Sequence, residues 1–234
     1  MDDKNLINSL LIAVAIAFAG FWLGNSIITF KEMNRYVTVK GLAERTVDAD
    51  LVIWPITFKI SNNRLIDFQK EVEQNRQVIK DFLIKNGVAS SEISYTQPEI
   101  RDMESEQYGN RTIKFRFVGK AAVNVRTSKV SLVREIKEKS SDLIRSGIVL
   151  SQEDYWSGTS YYFTSLNDIK PEMIANATKN AREAAENFAK DSGSKIGKLK
   201  NATQGFFSIE DKDKNSPHLK TIRVVSTLEY FLED

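Results

Sequence analysis

VTVKGLAERTVDADLVIWPITFKI, residues 37–60, carries the period-two pattern that sorts this chain among the fold classes. Val37 and Val39 alternate with polar residues up to Gly41, which reads as a short strand ending at a turn. Further on, Val47, Ala49, Leu51 and Ile53 share one parity, whereas Trp54, Ile56, Phe58 and Ile60 share the other. Side-chain direction alternates strictly along a strand, so a change of parity implies a bulge or a strand buried on both faces. Pro55 sits at the change and has no N–H to give to a central ladder, which favours a bulge or an edge position. The stretch also holds four charges, Glu44, Arg45, Asp48 and Asp50. Carboxylates paired for acid/base work need environments that separate their pKa values. The rival is a polar hairpin turn with an exposed ion pair, worth under about 1 kcal/mol. No second component for chemistry accompanies the cluster, and the turn is the expected reading.

Working outward, Ser61, Asn62 and Asn63 offer caps for a helix with Leu65, Phe68, Val72, Ile79 and Phe82 on one face, stopped by Gly87. Residues 92–100 read as a strand and the polar tract DMESEQYGNR as a hairpin loop. Ile113, Phe115, Phe117, Ala121, Val123 and Val125 then share one parity, the clearest half-buried strand in the chain, with a kink expected at Gly119. A second helix after Ser128 turns Val133, Ile136, Ser140, Leu143 and Ile144 inward and stops at Gly147. YWSGTSYYFTS reads as a strand. A third helix, about residues 170–191, carries Ile174, Ala177, Ala181, Ala184, Ala185 and Phe188 on one face, small residues that let a helix lie close to a sheet. Gly193 and Gly197 end it, and GFFSI and TIRVVSTLEYFL supply the last two strands. The order ββα, ββα, βα, ββ predicts an α+β domain of long, mostly antiparallel strands with about three helices.

Upstream, no charged residue falls between Asn5 and Phe30. About 20 apolar residues span the hydrocarbon core of a bilayer, and Trp22 and Phe30 lie where ring side chains suit the interface. Three readings fit: an uncleaved anchor, a signal peptide cleaved after Ala17-Phe18-Ala19, and a buried core helix. The apolar run continues through Phe21, Trp22 and Leu23 to Ile27 and Ile28, longer than a signal peptide needs, and it has no polar face. One transmembrane helix within residues 1–30, touching the membrane over 6–30, is therefore expected ahead of a domain over residues 31–234. The charge asymmetry is slight, but a four-residue head stays more readily in the cytoplasm than a long domain. That places residues 31–234 outside the cytoplasmic membrane.

Composition narrows the function. With 234 residues, one or two domains are expected. Lys and Arg number 33 against 31 Asp and Glu, a formal charge of +2, and the signs are interspersed. Nucleic-acid binding rests on clustered cations, so no nucleic-acid partner is expected. The absence of cysteine removes disulfides, thiolate catalysis and Cys-based metal sites. A single histidine, His218, leaves little acid/base or transition-metal chemistry.

With these segments placed, the chain resembles the SIMPL-domain family of bacterial envelope proteins. The likeness rests on Gly41, Ala43 and Glu44 followed by a hydrophobic strand, and on NATKNAREAAENFAKDSGSKIGKLKNATQG. There Ala181-Arg182 and Ala184-Ala185 precede a lysine-containing turn with Gly193 and Gly197. TIRVVSTLEYFL resembles the family's closing strand, and the likeness covers about residues 34–233. Ala49 departs from it, since members often carry proline before the aspartate that is Asp50 here. The resemblance implies a secreted or membrane-anchored noncatalytic domain that forms ring-like homo-oligomers and is linked to envelope and oxidative-stress tolerance. It carries over no catalytic residues.

Asp211-Lys212-Asp213-Lys214-Asn215 opens like a calcium loop, but that loop needs glycine next and glutamate at its twelfth position. Ser216 and Ile222 stand there, so a hairpin loop ended by Pro217 remains. His218 beside Ser216 lacks a nucleophile-elbow pattern. Gly193-Ser194-Lys195-Ile196-Gly197 follows a helix, not a strand, and so caps rather than cradles phosphate. Trp156, Tyr161, Tyr162, Phe206 and Phe207 line either a ligand groove or, more commonly for aromatic strands, a core or subunit interface. No catalytic, cofactor-binding or metal-binding residue is expected, and no cofactor. The leading function is a noncatalytic, self-assembling anchored protein at the bacterial inner membrane. The rivals are a periplasmic ligand-binding module and a carboxylate-based hydrolase.

Overall fold

The computed structural model describes residues 12–24, 26, 35–105, 113–151 and 158–233. Helix α1 covers residues 12–24. The strands are β1 (Tyr36–Asp48), β2 (Leu51–Asn62), β3 (Ile93–Tyr95), β4 (Glu99–Asp102), β5 (Phe117–Thr127), β6 (Ser160–Tyr162), β7 (Lys195–Gln204), β8 (Ser208–Asp211) and β9 (Leu219–Glu233). Between them run helices α2 (Leu65–Lys85), α3 (Val130–Glu138), α4 (Ser141–Arg145) and α5 (Leu166–Asp191). The strands form two antiparallel sheets, so the α+β class holds. One sheet has the order β1-β9-β7 with β8 also on β9; the other has the order β3-β5-β2-β6 with β4 also on β5. Among the described residues no helix is long and apolar enough to cross a membrane. The expected anchor over 6–30 lies outside the described residues except for α1 and Ser26.

The opening stretch folds differently from its expectation. β1 continues to Asp48, and the chain turns at Ala49-Asp50 before β2 begins. β1 and β2 belong to different sheets, so this is a crossing between sheets and not a hairpin. The change of parity lies at that crossing. Val37, Ala43 and Ala49 are buried before it, and Val52, Trp54, Ile56, Phe58 and Ile60 after it. β2 carries no bulge: eleven pairs run unbroken from Val52↔Thr127 to Asn62↔Phe117. Pro55 is accommodated because the Lys59 N–H and the Thr57 carbonyl bond Val149 and Ser151 on the side away from β5. By alternation Pro55 faces that same side, and no β5 ladder bond is lost.

Two compact units divide the described chain. One gathers β1 up to Arg45, Asn167–Ser208 and β9 from Ile222; the other gathers Thr46–Leu166 and Ile209–Thr221. In the second unit the inward parity of β2 and of β5 (Ala121, Val123, Val125) meets Phe68, Val72, Ile79 and Leu83 of α2 and Val133 and Ile136 of α3. Phe58 and Phe68 are fully buried, each contributing about 1.5–3 kcal/mol. Leu65 and Ile144, expected inward, are exposed. The N-cap of α2 is Arg64, without a side-chain bond; Asn62 Oδ1 instead accepts from the N–H groups of Asn63 and Arg64. The expected second helix is two, α3 and α4, and the strand expected over 92–100 is β3 and β4, split at Thr96-Gln97-Pro98. The strand expected from residue 113 begins at Phe117. Gly119 serves close approach, since a Cβ there would meet the Glu99 carbonyl and, at 2.9 Å, the Phe68 ring.

In the first unit the buried stripe of α5 is Met173, Ala177, Ala181, Ala185 and Ala189, one residue every four. Ala184 and Phe188, expected on that stripe, face solvent. Val37, Ala181, Ala185, Leu228 and Tyr230 form the core of this unit. Lys195–Gln204, expected to hold only a turn, is strand β7 against β9, and Gly197 lies within it beside the Glu233 side chain. Of the strand expected at YWSGTSYYFTS, the described residues form β6 at Ser160–Tyr162, and residues 152–157 fall outside the described chain. The expected helix stops hold. Gly87, Gly147 and Gly193 have φ of +97°, +89° and +73°. The N–H groups of Val88, Ile148 and Ser194 reach back to Leu83, Leu143 and Ala189, the Schellman closure.

Candidate functional site

The four charges of the opening stretch form no common site. Glu44 and Asp48 are strand residues, Glu44 exposed. Arg45 pairs with Glu172 of α5 at 2.8 Å, both well exposed. Asp50 is held by the chain just before α5. Its carboxylate accepts from the Thr164 N–H at 2.7 Å, the Thr164 hydroxyl at 3.0 Å and the Ser165 N–H at 2.8 Å. Partial burial raises the Asp50 pKa, but the bonds from Ser165 and Thr164 outweigh it and hold the group below its ordinary value. An acid kept ionised by donors at a turn is a structural clasp, with no proton to give near neutral pH.

Glu92 makes a similar clasp. Thr127 Oγ1 donates to Glu92 Oε1 at 2.6 Å and the Ala89 N–H to Oε2 at 3.0 Å. The Thr127 bond, followed by that from Ala89, holds its pKa low. Asp102 accepts a fork from Arg116, which lowers its pKa and ties β4 to the start of β5. The Asp211–Asn215 loop converges on no metal. Asp211 bonds the buried Lys220, and Asp213 accepts from the Asn215 N–H at 2.8 Å. Among the described residues no group of three or more His, Asp or Glu is arranged to hold a metal ion. His218 lies edge-on to Tyr161 with ring centroids 6.2 Å apart, and its carbonyl accepts from the Ala49 N–H. The two contacts tie the His218 segment to β6 and to the turn before β2.

Of the aromatic candidates, Tyr162 is half-exposed, Phe206 fully exposed, and Phe207 lies beneath Lys170 Nζ at 6.0 Å. Trp156 lies outside the described residues. Tyr161 packs, partly buried, against the core of the second unit. The sequence reading missed a depression of about 120 Å³ lined by Thr57, Thr96, Gln97, Glu99, Lys120, Ala122 and Ser151. It arises where β3 ends and β4 begins, opposite the small Ala122. The break Thr96-Gln97-Pro98, closed by its proline, is the signal for it in the sequence. Lys120 and Glu99 pair across it at 3.3 Å.

The architecture defines a class: an α+β protein of two antiparallel sheets, whose α5 packs a small-residue stripe on β1 and β9. The family model SIMPL, described as a protein of unknown function (DUF541), matches residues 37–220, and the chain belongs to that family. No curated protein matches the chain.

Proposed function

We propose that this chain is a noncatalytic, membrane-anchored interaction protein. Residues 6–30 hold it in the bacterial cytoplasmic membrane as a single pass, and the domain from residue 31 onward stands on the extracytoplasmic side. There it self-assembles, with a role in envelope or oxidative-stress tolerance. The anchor is carried by α1. Ile12, Val14, Ile16, Phe18, Phe21, Trp22 and Leu23 are each 59–71% exposed. Burying such side chains contributes about 1.5–3 kcal/mol each, so a helix bare on all sides calls for an apolar medium. Self-assembly is supported by β7, which ends its sheet and is exposed over most of its length. The stress role rests on the family resemblance. A variant lacking residues 1–30 should elute and scatter light as a large assembly. A strictly monomeric particle at high concentration would sink the self-assembly reading.

A further inference from the structure

We infer that the end of the first unit where the chain enters β1, formed by Arg35, Tyr36, Ser194, Lys195 and Lys200, is a seat for phospholipid headgroups of the membrane that holds the anchor. This inference rests on the anchor reading above. The uncharged segment ends at Phe30, and five residue steps separate Phe30 from Arg35. A chain spans at most about 3.3–3.6 Å per residue, so Arg35 lies within roughly 18 Å of the hydrocarbon edge. The polar headgroup layer occupies about 5–8 Å of that distance. What stands at this end has the chemistry of an interface. Tyr36 is 48% exposed at the start of β1, and Lys200 Nζ lies 3.1 Å from its ring centroid. Arg35 Nη2 reaches Ser194 Oγ at 3.4 Å, and Lys195 opens β7 opposite Glu233. The cluster is therefore continuous from β1 to the β7 edge. Glu229, 3.6 Å from Lys200, and Glu233 temper its charge. The fit is therefore to the phosphodiester common to phospholipids, rather than to a strongly anionic surface. An amphipathic ring carrying a cation suits this layer because the ring body sits among glycerol and acyl carbons while the ammonium meets phosphate.

The chain has no cysteine, so single thiols report without background. Full-length protein carrying Ser194→Cys, just before β7, or Gln204→Cys, at its far end, would be labelled with a fluorophore. Each would be reconstituted in phosphatidylcholine vesicles containing headgroup-nitroxide lipid. Quenching at position 194 should exceed that at 204 several-fold. Adding Lys195→Gln and Lys200→Gln should cut the quenching at 194 at least twofold while flotation with the vesicles is unchanged. Equal quenching at both positions in protein that floats would overturn the headgroup seat and leave the anchor standing. Protein stripped from vesicles by alkaline washing would overturn the anchor, and the seat with it.

Discussion

A Cβ on Gly41 would overlap the Ala177 carbonyl oxygen and the Ala181 backbone nitrogen, because α5 crosses β1 at backbone contact there. Asn180 Nδ2 donates to the Leu42 carbonyl at 2.8 Å and holds the same crossing. Neither neighbour is a flexible side chain, so the helix itself must shift. Gly41→Ala should destabilise by about 1–3 kcal/mol or more, read as a lower urea midpoint at unchanged slope; an unchanged midpoint would contradict the close approach. Asp50 acts at the same scale through charge. Its folded pKa lies below the ordinary value, so its stabilisation is complete above the unfolded value of about 3.9. It is lost as pH falls through the folded value. Asp50→Asn should cost about 1–2 kcal/mol at pH 7, the range for a partly screened bond to a charged group. Melts at stepped pH should show the gap between the two proteins closing below about pH 4. A gap independent of pH would mean that the charge of Asp50 does not contribute.

Among the elements, α5 shows how one residue of phase decides burial. Ala181 and Ala184 both fit a small-residue face in the sequence, yet Ala181 is fully buried and Ala184 faces solvent. Ala181→Leu should cost about 1–3 kcal/mol by overpacking. Ala184→Leu should stay within about 0.5 kcal/mol; paired chemical melts separate them, and equal costs would contradict the stripe. β7 illustrates the opposite difficulty. KIGKLKNATQ has no clean alternation, because its register to β9 shifts between Ile196 and Leu199 and again before Asn201. A strand exposed on most positions leaves no hydrophobic period to read. The helices end where glycine allows a positive φ, and those stops are legible for that reason. The break between α3 and α4 is not, since Lys139 alone leaves helical backbone angles, Ser140 keeps them, and neither glycine nor proline marks the place.

For the whole molecule, the near-zero balance of 33 cations against 31 anions leaves the apolar segment as the dominant long-range instruction. Under the proposed anchor, Ala17→Arg would place a charge near the middle of the spanning segment, at a cost of about 2.5–3.5 kcal/mol. The variant should leave a larger alkali-extractable fraction than the unaltered chain, which should stay in the membrane pellet; an unaltered chain released wholly to the soluble fraction would sink the anchor. The α+β class, the inward parities of β2 and β5 and the three glycine stops are all written locally in the chain. They depend on neighbours within a few residues, through side-chain alternation, helical period and the freedom of glycine at positive φ. That β1 and β2 enter different sheets emerges only in three dimensions, because a change of parity looks the same at a bulge and at a crossing. The dispersal of Glu44, Arg45, Asp48 and Asp50 emerges there too. Asp50 is claimed by Thr164 and Ser165, more than a hundred residues away, and no local pattern encodes a partner at that separation. The stretch 37–60 thus announces its strands, while the long-range bonds of its charges settle what those charges do.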